Sequence, residues 1–364
     1  CYFNEADKKH LINALKARYP FKVGKGKKYV GIDFKWDYGK NRQVILSMNG
    51  YIPKANKEFG HPNPAKPVYG PTPFLAPEYG KRIQFAKEDT SPKVNEKMKN
   101  LIQKVAGKYL YPARAIDHTM LQPLNDLCIA SNSATEQTMI DLKHFLDYCA
   151  TNPDPKIIFR ASDMLLQIWT DAAYLVAAKA RSRAAGYHFL GNKDGNLHNG
   201  PIYVLSKLIK AVMSSAAEAE SGGSFMNATE AVPFRTTLEE LGWKQPPTPI
   251  ITDNSTTKGI MKKTIKQKRS KAMDMRFYWL RDRIAQGQFD MIWAPGKINV
   301  ADYPSKRHSA AHHKLVRPIQ LYVKGKSPST LQGCVEILRR AHSKRANIQR
   351  SSVPNIIAPA KLTA

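Results

Sequence analysis

Cysteine, long apolar runs and acidic residues are all scarce in this 364-residue chain. Cys1, Cys128, Cys149 and Cys334 form no CxxC pair and are too scattered for a disulfide framework or a zinc module, which is typical of a reducing compartment. The sequence contains no run of about 18 apolar residues that could span a bilayer. It opens without Met or a signal peptide, so we expect a fragment of a longer protein.

Basic residues are in large excess, with 57 Lys and Arg against 29 Asp and Glu and a formal net charge of +28. A charge of this size and sign attracts phosphate backbones. A membrane surface would attract it as well, but no basic amphipathic helix stands alone in the sequence. We therefore expect a nucleic-acid partner and no membrane. The length suffices for two domains of ordinary size without disulfides or metals to stabilise them.

Hydrophobic spacing divides the chain into segments of different texture. An αββα unit is predicted for residues 1–60, and a linker for 61–92, where prolines recur too often for regular structure. Three helical patterns follow in 93–155. Residues 156–315 read as βββ-α-β-α-β-α, which predicts an α/β domain with a mixed sheet and helices on its faces. The basic tail, 316–364, is either disordered or contains a short helix.

Four acidic residues occupy positions where a ligand could bind. Asp171 and Asp253 each follow an apolar run that predicts a buried strand, so each carboxylate is expected at a strand's carboxyl end. Ligands of open α/β sheets bind in the crevice at those ends. Glu220 and Asp302 lie where helices begin and could face the same crevice. A lone aspartate there is usually a turn or cap residue, so the interpretation depends on all four together.

Converging carboxylates repel one another unless a cation binds them. A cluster of oxygen ligands alone favours Mg²⁺ or Mn²⁺ over zinc. Two such ions, about 3.5–4 Å apart, can activate a water and stabilise the leaving oxygen of an in-line displacement at phosphorus. The basic surface would then hold a nucleic acid whose phosphates the acidic pocket alone would repel. The sequence therefore predicts metal-dependent chemistry on a phosphodiester.

Five motifs, in this order, resemble the ribonuclease H domain of copia-type LTR retrotransposons. They are residues 169–172 (Trp-Thr-Asp-Ala), 214–220, 252–255 (Thr-Asp-Asn-Ser), 271–278 and 299–303 (Asn-Val-Ala-Asp-Tyr). Upstream, residues 28–52 resemble the end of that family's reverse transcriptase, and residues 105–111 resemble its connection segment. The family's polymerase motif, Tyr-x-Asp-Asp, is absent from the sequence.

The resemblance implies a ribonuclease H-like fold, preceded by a thumb-like α+β unit and a helical connection segment. It gives Asp171, Glu220, Asp253 and Asp302 the catalytic and metal-binding roles, with two Mg²⁺ or Mn²⁺ ions as cofactor. The implied activity is cleavage of the RNA strand of RNA/DNA hybrids during reverse transcription. The implied partners are the hybrid and the upstream polymerase part of the same polyprotein. The implied location is the cytoplasm, within virus-like particles, with the nucleus as the alternative.

Two surface features have competing interpretations. A basic cluster is interpreted as contacting the backbone of the hybrid, with a solvated helix face as the alternative. Its residues are Lys262, Lys263, Lys266, Lys268, Arg269 and Lys271. His308 and His312 have i,i+4 spacing, but no Cys, His or acidic partner is evident nearby, so solvated histidines are expected.

A different class of function stays open beside the enzyme. Residues 221–224 (Ser-Gly-Gly-Ser), directly after Glu220, have low helix propensity and predict a weak helix. The alternative function is therefore a catalytically inactive nucleic-acid-binding remnant of a degenerate element. The integrase of the same elements also uses clustered carboxylates, but the Asp, Glu, Asp, Asp order and the lack of a His/Cys zinc module argue against it.

Overall fold

Two β-sheets organise the computed structural model, which describes residues 4–20, 22–24, 26–74, 88–195, 197–262, 264 and 274–321. The amino-terminal unit has the predicted αββα order, with one more short strand. Its elements are α1 (Glu5–Lys16), β1 (Lys28–Tyr29), β2 (Ile32–Asp37), β3 (Gln43–Ser47) and α2 (Tyr51–Glu58). The strands pair antiparallel in chain order.

A fourth strand, β4 (Lys156–Arg160), completes this first sheet rather than opening the second one. It pairs antiparallel with β3, and Ile45 lies opposite Ile158. Ile157 packs with Met48 and Ile116 in a small cluster. The sequence predicts this strand within the segment that begins at residue 156, because alternation identifies a strand but does not say which sheet it joins.

Three helices follow the Pro-rich segment, as expected: α3 (Glu96–Ala115), α4 (Leu121–Ala130) and α5 (Glu136–Thr151). Their shared core includes Ile102, Tyr109 and Phe145, all fully buried. The described part of the Pro-rich segment lies against α5, where His61 Nε2 is 2.8 Å from Asp147 Oδ1. No helix within the described ranges is long and apolar enough to cross a membrane.

The second sheet is mixed and has five strands, in the order β7-β6-β5-β8-β9. They are β5 (Leu165–Ala177), β6 (Arg181–Gly191), β7 (Pro201–Leu208), β8 (Thr248–Thr252) and β9 (Phe289–Trp293). The three strands from β5 to β7 form an antiparallel meander, whereas β8 and β9 run parallel to β5. This is the ribonuclease H-like mixed sheet that the resemblance implied, so the predicted fold class is confirmed.

Five helices accompany this sheet: α6 (Ala216–Glu240), α7 (Ser255–Met261), α8 (Asp274–Ala285), α9 (Asp302–Ser305) and α10 (Ala310–Gln320). Residues 221–224, whose helix propensity is low, lie within α6, which continues through both glycines. A Cβ on Gly223 would lie 3.2 Å from the backbone oxygen of Asp171, so the missing side chain lets the helix approach β5. Asn227, one turn later, donates to Thr170 Oγ1 at 3.1 Å and fixes that approach.

Asp126 on α4 connects the helical segment to the second sheet. Arg183, on β6, has a side chain only 3% exposed and contacts both the Asp126 carboxylate and Asn125 Oδ1. The other carboxylate oxygen of Asp126 accepts from Arg307 Nη2 at 3.0 Å. One carboxylate therefore holds two guanidinium groups that come from different parts of the fold.

Replacing Asp126 with Asn should destabilise the protein, because the buried Arg183 then loses its anionic partner. We expect a loss of about 3 kcal/mol in the free energy of unfolding, measured by urea denaturation. The control is Glu230→Gln, which breaks the Lys207–Glu230 pair, whose side chains are 43% and 37% exposed; it should cost less than about 1 kcal/mol. Equal effects of the two substitutions would contradict the connecting role of Asp126.

Candidate metal centre

Parallel pairing of β5 and β8 brings Asp171 beside Asp253. Ile168 lies opposite Ile250 and Trp169 opposite Ile251, and the same offset continued by two residues places Asp171 level with Asp253. Asp253 directly follows β8, as predicted. Asp171 does not end its strand: β5 continues to Ala177 because its second half pairs with β6. The predicted proximity is found, although the predicted strand end is wrong.

Helix α6 brings the third carboxylate to the same place. Glu220 lies in its second turn, and its Oε1 accepts a hydrogen bond from the backbone N–H of Ala172 at 3.2 Å. One carboxylate oxygen from each of Asp171, Glu220 and Asp253 lies within 4.8 Å of the others. Gly296 borders this cluster, since a Cβ there would lie 2.6 Å from Asp253 Oδ2. We call Asp171, Glu220 and Asp253 the carboxylate cluster.

Asp302 lies at the edge of the carboxylate cluster rather than inside it. It is the first residue of α9, and the preceding loop is tied to β5 because Asn299 Nδ2 donates to the Thr170 carbonyl at 3.0 Å. Its carboxylate forms an ion pair with Lys306, one turn later. Asp302 also belongs to a second group, with His308 and His312. The expectation that this histidine pair has no acidic partner is therefore wrong.

Burial gives the carboxylate cluster unusual electrostatics. Asp171 and Glu220 are only 5% and 6% exposed. Burial and the charge of Asp302 raise the pKa of Asp171 to about 6. Burial and the charge of Asp171 raise the pKa of Glu220 to about 9, and burial also raises the pKa of Asp253. Anionic carboxylates are therefore disfavoured here unless a positive charge joins them.

Two oxygens of the cluster lack the contacts that buried anions normally have. Asp171 Oδ2 and Glu220 Oε2 are buried, and neither has a hydrogen-bond partner among the described residues. Buried polar atoms are nearly always paired, so these two indicate an absent partner. A donor set made only of carboxylate oxygens fits a hard divalent cation such as Mg²⁺ or Mn²⁺.

Lys306 supplies a nearby positive charge that the sequence analysis missed. Burial alone would lower the pKa of its ammonium group, but the charges of Asp302 and Asp171 outweigh that effect and raise the pKa. The signal was present in the sequence, because Lys306 follows Asp302 by four residues, the spacing at which helical side chains meet. Lys306 thus partly balances the carboxylates.

The structure describes one residue of the predicted basic cluster, Lys262. Its Nζ lies 2.8 Å from Asp290 Oδ1, so part of its charge is balanced within the protein. The other five residues lie outside the described ranges. Nucleic-acid binding by this cluster stays a prediction.

Comparison with known proteins gives one related sequence. No family model matches the chain. Over 269 residues the chain is 23% identical to the retrovirus-related Pol polyprotein from transposon TNT 1-94 of Nicotiana tabacum. The aligned region covers 73% of this chain and 19% of that polyprotein. The resemblance to a retrotransposon Pol polyprotein is confirmed. The Pol-like chain thus spans about a fifth of the length of the relative that it matches.

Solved structures with a partial likeness include ribonucleases H and a reverse transcriptase. The N-terminal RNase H domain of a Mycobacterium tuberculosis protein is 18% identical, covers 39% of the Pol-like chain and 91% of its own, and has a TM-score of 0.29. An RNase H1 isolated from compost is 15% identical, covers 39% of this chain and 92% of its own, and has a TM-score of 0.28. A foamy viral protease-reverse transcriptase bound to dsDNA is 11% identical, covers 57% of this chain and 40% of its own, and has a TM-score of 0.37. The fold assignment rests on the strand order of the chain itself.

Glu220→Gln should stabilise the metal-free protein, increasingly so as pH rises. The pKa of Glu220 in the folded protein, about 9, exceeds its ordinary value of 4.5. Below pH 4.5 the parent therefore pays no free energy of unfolding for this group, and it loses stability as the pH rises from 4.5 towards 9. Gln does not titrate, so the variant's advantage should grow by up to about 1.4 kcal/mol per pH unit. Thermal unfolding with a chelator measures it.

Two comparisons make this measurement specific. Mg²⁺ should raise the Tm of the parent at pH 8 more than that of Glu220→Gln, because only the parent keeps the third carboxylate. Glu240→Gln, at the exposed end of the same helix, should change Tm little at any pH. A metal-free parent that is more stable than Glu220→Gln at pH 8 would refute the electrostatic account.

Proposed function

We propose that this chain is a metal-dependent endoribonuclease that cuts the RNA strand of RNA/DNA hybrids. The observation that supports this proposal is the carboxylate cluster, in which three acidic side chains converge within 4.8 Å and two buried oxygens lack a partner. Such an arrangement is unfavourable for stability, because it places like charges together and leaves two buried oxygens without donors, and it is typical of functional sites.

The residues would share the work as follows. Asp171, Glu220, Asp253 and Asp302 would hold two Mg²⁺ or Mn²⁺ ions. Bound ions of this kind supply Lewis acidity, which activates water and stabilises the leaving oxygen at phosphorus. The protein contributes rigid placement, since Asp171 lies on β5, Asp253 directly follows the paired strand β8, and Glu220 is held by the Ala172 N–H. Lys306 would keep the site electrically balanced before ions and substrate bind.

The partner follows from charge and from the polyprotein relationship. A net charge of +28 provides the attraction for a polyanion. We propose that the partner is an RNA/DNA hybrid presented by the polymerase part of the same polyprotein, in cytoplasmic virus-like particles. The second candidate, an inactive binding remnant, gains no support from α6, which continues through both glycines and packs Gly223 against β5.

Asp171→Asn should abolish cleavage while leaving hybrid binding nearly intact. The substitution keeps the shape of the side chain but removes the negative charge that both ions would share, so it acts on the transition state rather than on docking. We expect the single-turnover rate to fall by at least about a hundredfold. The control is Asp154→Asn, an exposed aspartate before β4, which should cleave like the parent. A parent without Mg²⁺- or Mn²⁺-dependent cleavage would favour the binding remnant.

Neutralising the basic cluster should give the opposite pattern. Replacing Lys266, Lys268, Arg269 and Lys271 with Gln should weaken hybrid binding but leave turnover at saturation close to normal, because these groups only hold the backbone. Each lost phosphate contact should reduce the slope of log affinity against log salt by about 0.9, the value for B-form DNA. Fluorescence anisotropy at several salt concentrations measures it. Binding that is insensitive to salt and specific for bases would contradict this mode of recognition.

A further inference from the structure

A second set of metal-ligating side chains adjoins the carboxylate cluster. One ligand atom from each of Asp302, His308 and His312 lies within 4.8 Å of the others. The chain folds back after α9, so that the start of α10 lies near Asp302. Three side chains within a segment of eleven residues therefore converge. Unlike the carboxylate cluster, this set combines two imidazoles with one carboxylate.

We propose that Asp302, His308 and His312 form a separate site for a zinc-class divalent ion. Imidazole nitrogens favour Zn²⁺ or Co²⁺, whereas Mg²⁺ prefers a shell of oxygens. Three protein ligands would leave one position for water or for a substrate oxygen, as in zinc sites that remain open. The proposal is independent of which ion the carboxylate cluster takes.

The ring of His308 contacts backbone carbonyls through one of its two nitrogens. Its Nε2 lies 3.3 Å from the carbonyl oxygen of Asp302 and 3.2 Å from that of Tyr303. Carbonyls only accept hydrogen bonds, so Nε2 carries the proton and Nδ1 keeps its lone pair. Metal-binding histidines commonly donate their second ring nitrogen to a backbone carbonyl in this way. The ring also stacks on Tyr303, with 5.2 Å between centroids and planes 9° apart.

The other two ligands are placed by local structure. His312 lies in the first turn of α10, which Ser309 caps, and its ring centroid is 4.5 Å from that of His308. Asp302 contacts Lys306 through Oδ1, while its Oδ2 lies 3.9 Å from His308 Nε2. Its two oxygens thus face different groups, so one carboxylate could serve Lys306 through Oδ1 and an ion through Oδ2.

The test is titration of the full chain with Co²⁺, whose visible absorption reports imidazole coordination, with excess Mg²⁺ present to occupy the carboxylate cluster. We expect one equivalent to bind. His308→Gln and His312→Gln should each weaken Co²⁺ binding by at least about tenfold. Tenfold is the lower end of the loss seen when a residue that only supports a metal ligand is replaced, and loss of a ligand should cost no less. The control is His10→Gln, an exposed histidine on α1, which should bind as the parent does.

Thermal unfolding keeps the test independent of spectral detail. Zn²⁺ should raise the Tm of the parent and of His10→Gln, but not that of His312→Gln, because an ion that binds only the folded chain stabilises it. Variants whose metal-free Tm matches the parent's exclude misfolding as the cause. A parent that binds no Co²⁺ or Zn²⁺, or histidine variants that bind both like the parent, would overturn the site.

One consequence rests on the proposed function. Because the proposed function also gives Asp302 a role in holding the catalytic ions, Zn²⁺ bound by Asp302 should compete for its carboxylate and inhibit Mg²⁺-dependent hybrid cleavage, and His312→Gln should relieve that inhibition. Failure of the parent to cleave at all would count against the proposed function, while the Co²⁺ titration would still decide the site. Binding without inhibition would show that Asp302 serves one site only.

Discussion

Repulsion between buried carboxylates is the constraint on which the arrangement of this molecule depends. In an unconstrained chain, repulsion would move Asp171, Glu220 and Asp253 apart or into water. Regular secondary structure prevents that separation here. Parallel pairing fixes the two aspartates, and close packing of α6 fixes Glu220. The fold accepts unfavourable electrostatics at one point and offsets it with the hydrophobic core on both faces of the sheet.

The helical segment before the second sheet contributes to the same structure. Asp117 and Tyr148, from two of its parts, both contact the Arg317 guanidinium on α10. His118 Nε2 lies 2.7 Å from Gln320 Oε1, at the end of the same helix. These contacts are buried or half-buried, so α10 belongs to the packed fold although the tail is predicted to begin at residue 316. Boundaries read from composition therefore separate residues that tertiary packing joins.

Sequence reasoning succeeded where a feature is local and failed where it depends on packing. Apolar runs before Asp171 and Asp253 identified buried strands, and family resemblance supplied Glu220. Low helix propensity at residues 221–224 does not end α6, because propensity describes an isolated helix, whereas here the absent Gly223 side chain leaves room for β5. Hydrophobic patterns do not show which sheet β4 joins, because that depends on tertiary pairing. They also do not show that Asp302 lies beside the histidines, because that depends on how the chain folds back after α9.

Among the four acidic residues, Asp302 differs in how it is held. The others belong to or directly follow long elements of the sheet and α6, whereas Asp302 begins a helix of four residues. That helix is positioned by Asn299, which reaches β5, and by Arg307, which reaches Asp126 on α4. Asp126 thus links α4 to the second sheet through Arg183 and to the residues after α9 through Arg307. Through Arg307, the helical segment is coupled to the part of the chain that holds Asp302, whereas Asp171, Glu220 and Asp253 are held by β5, α6 and the end of β8.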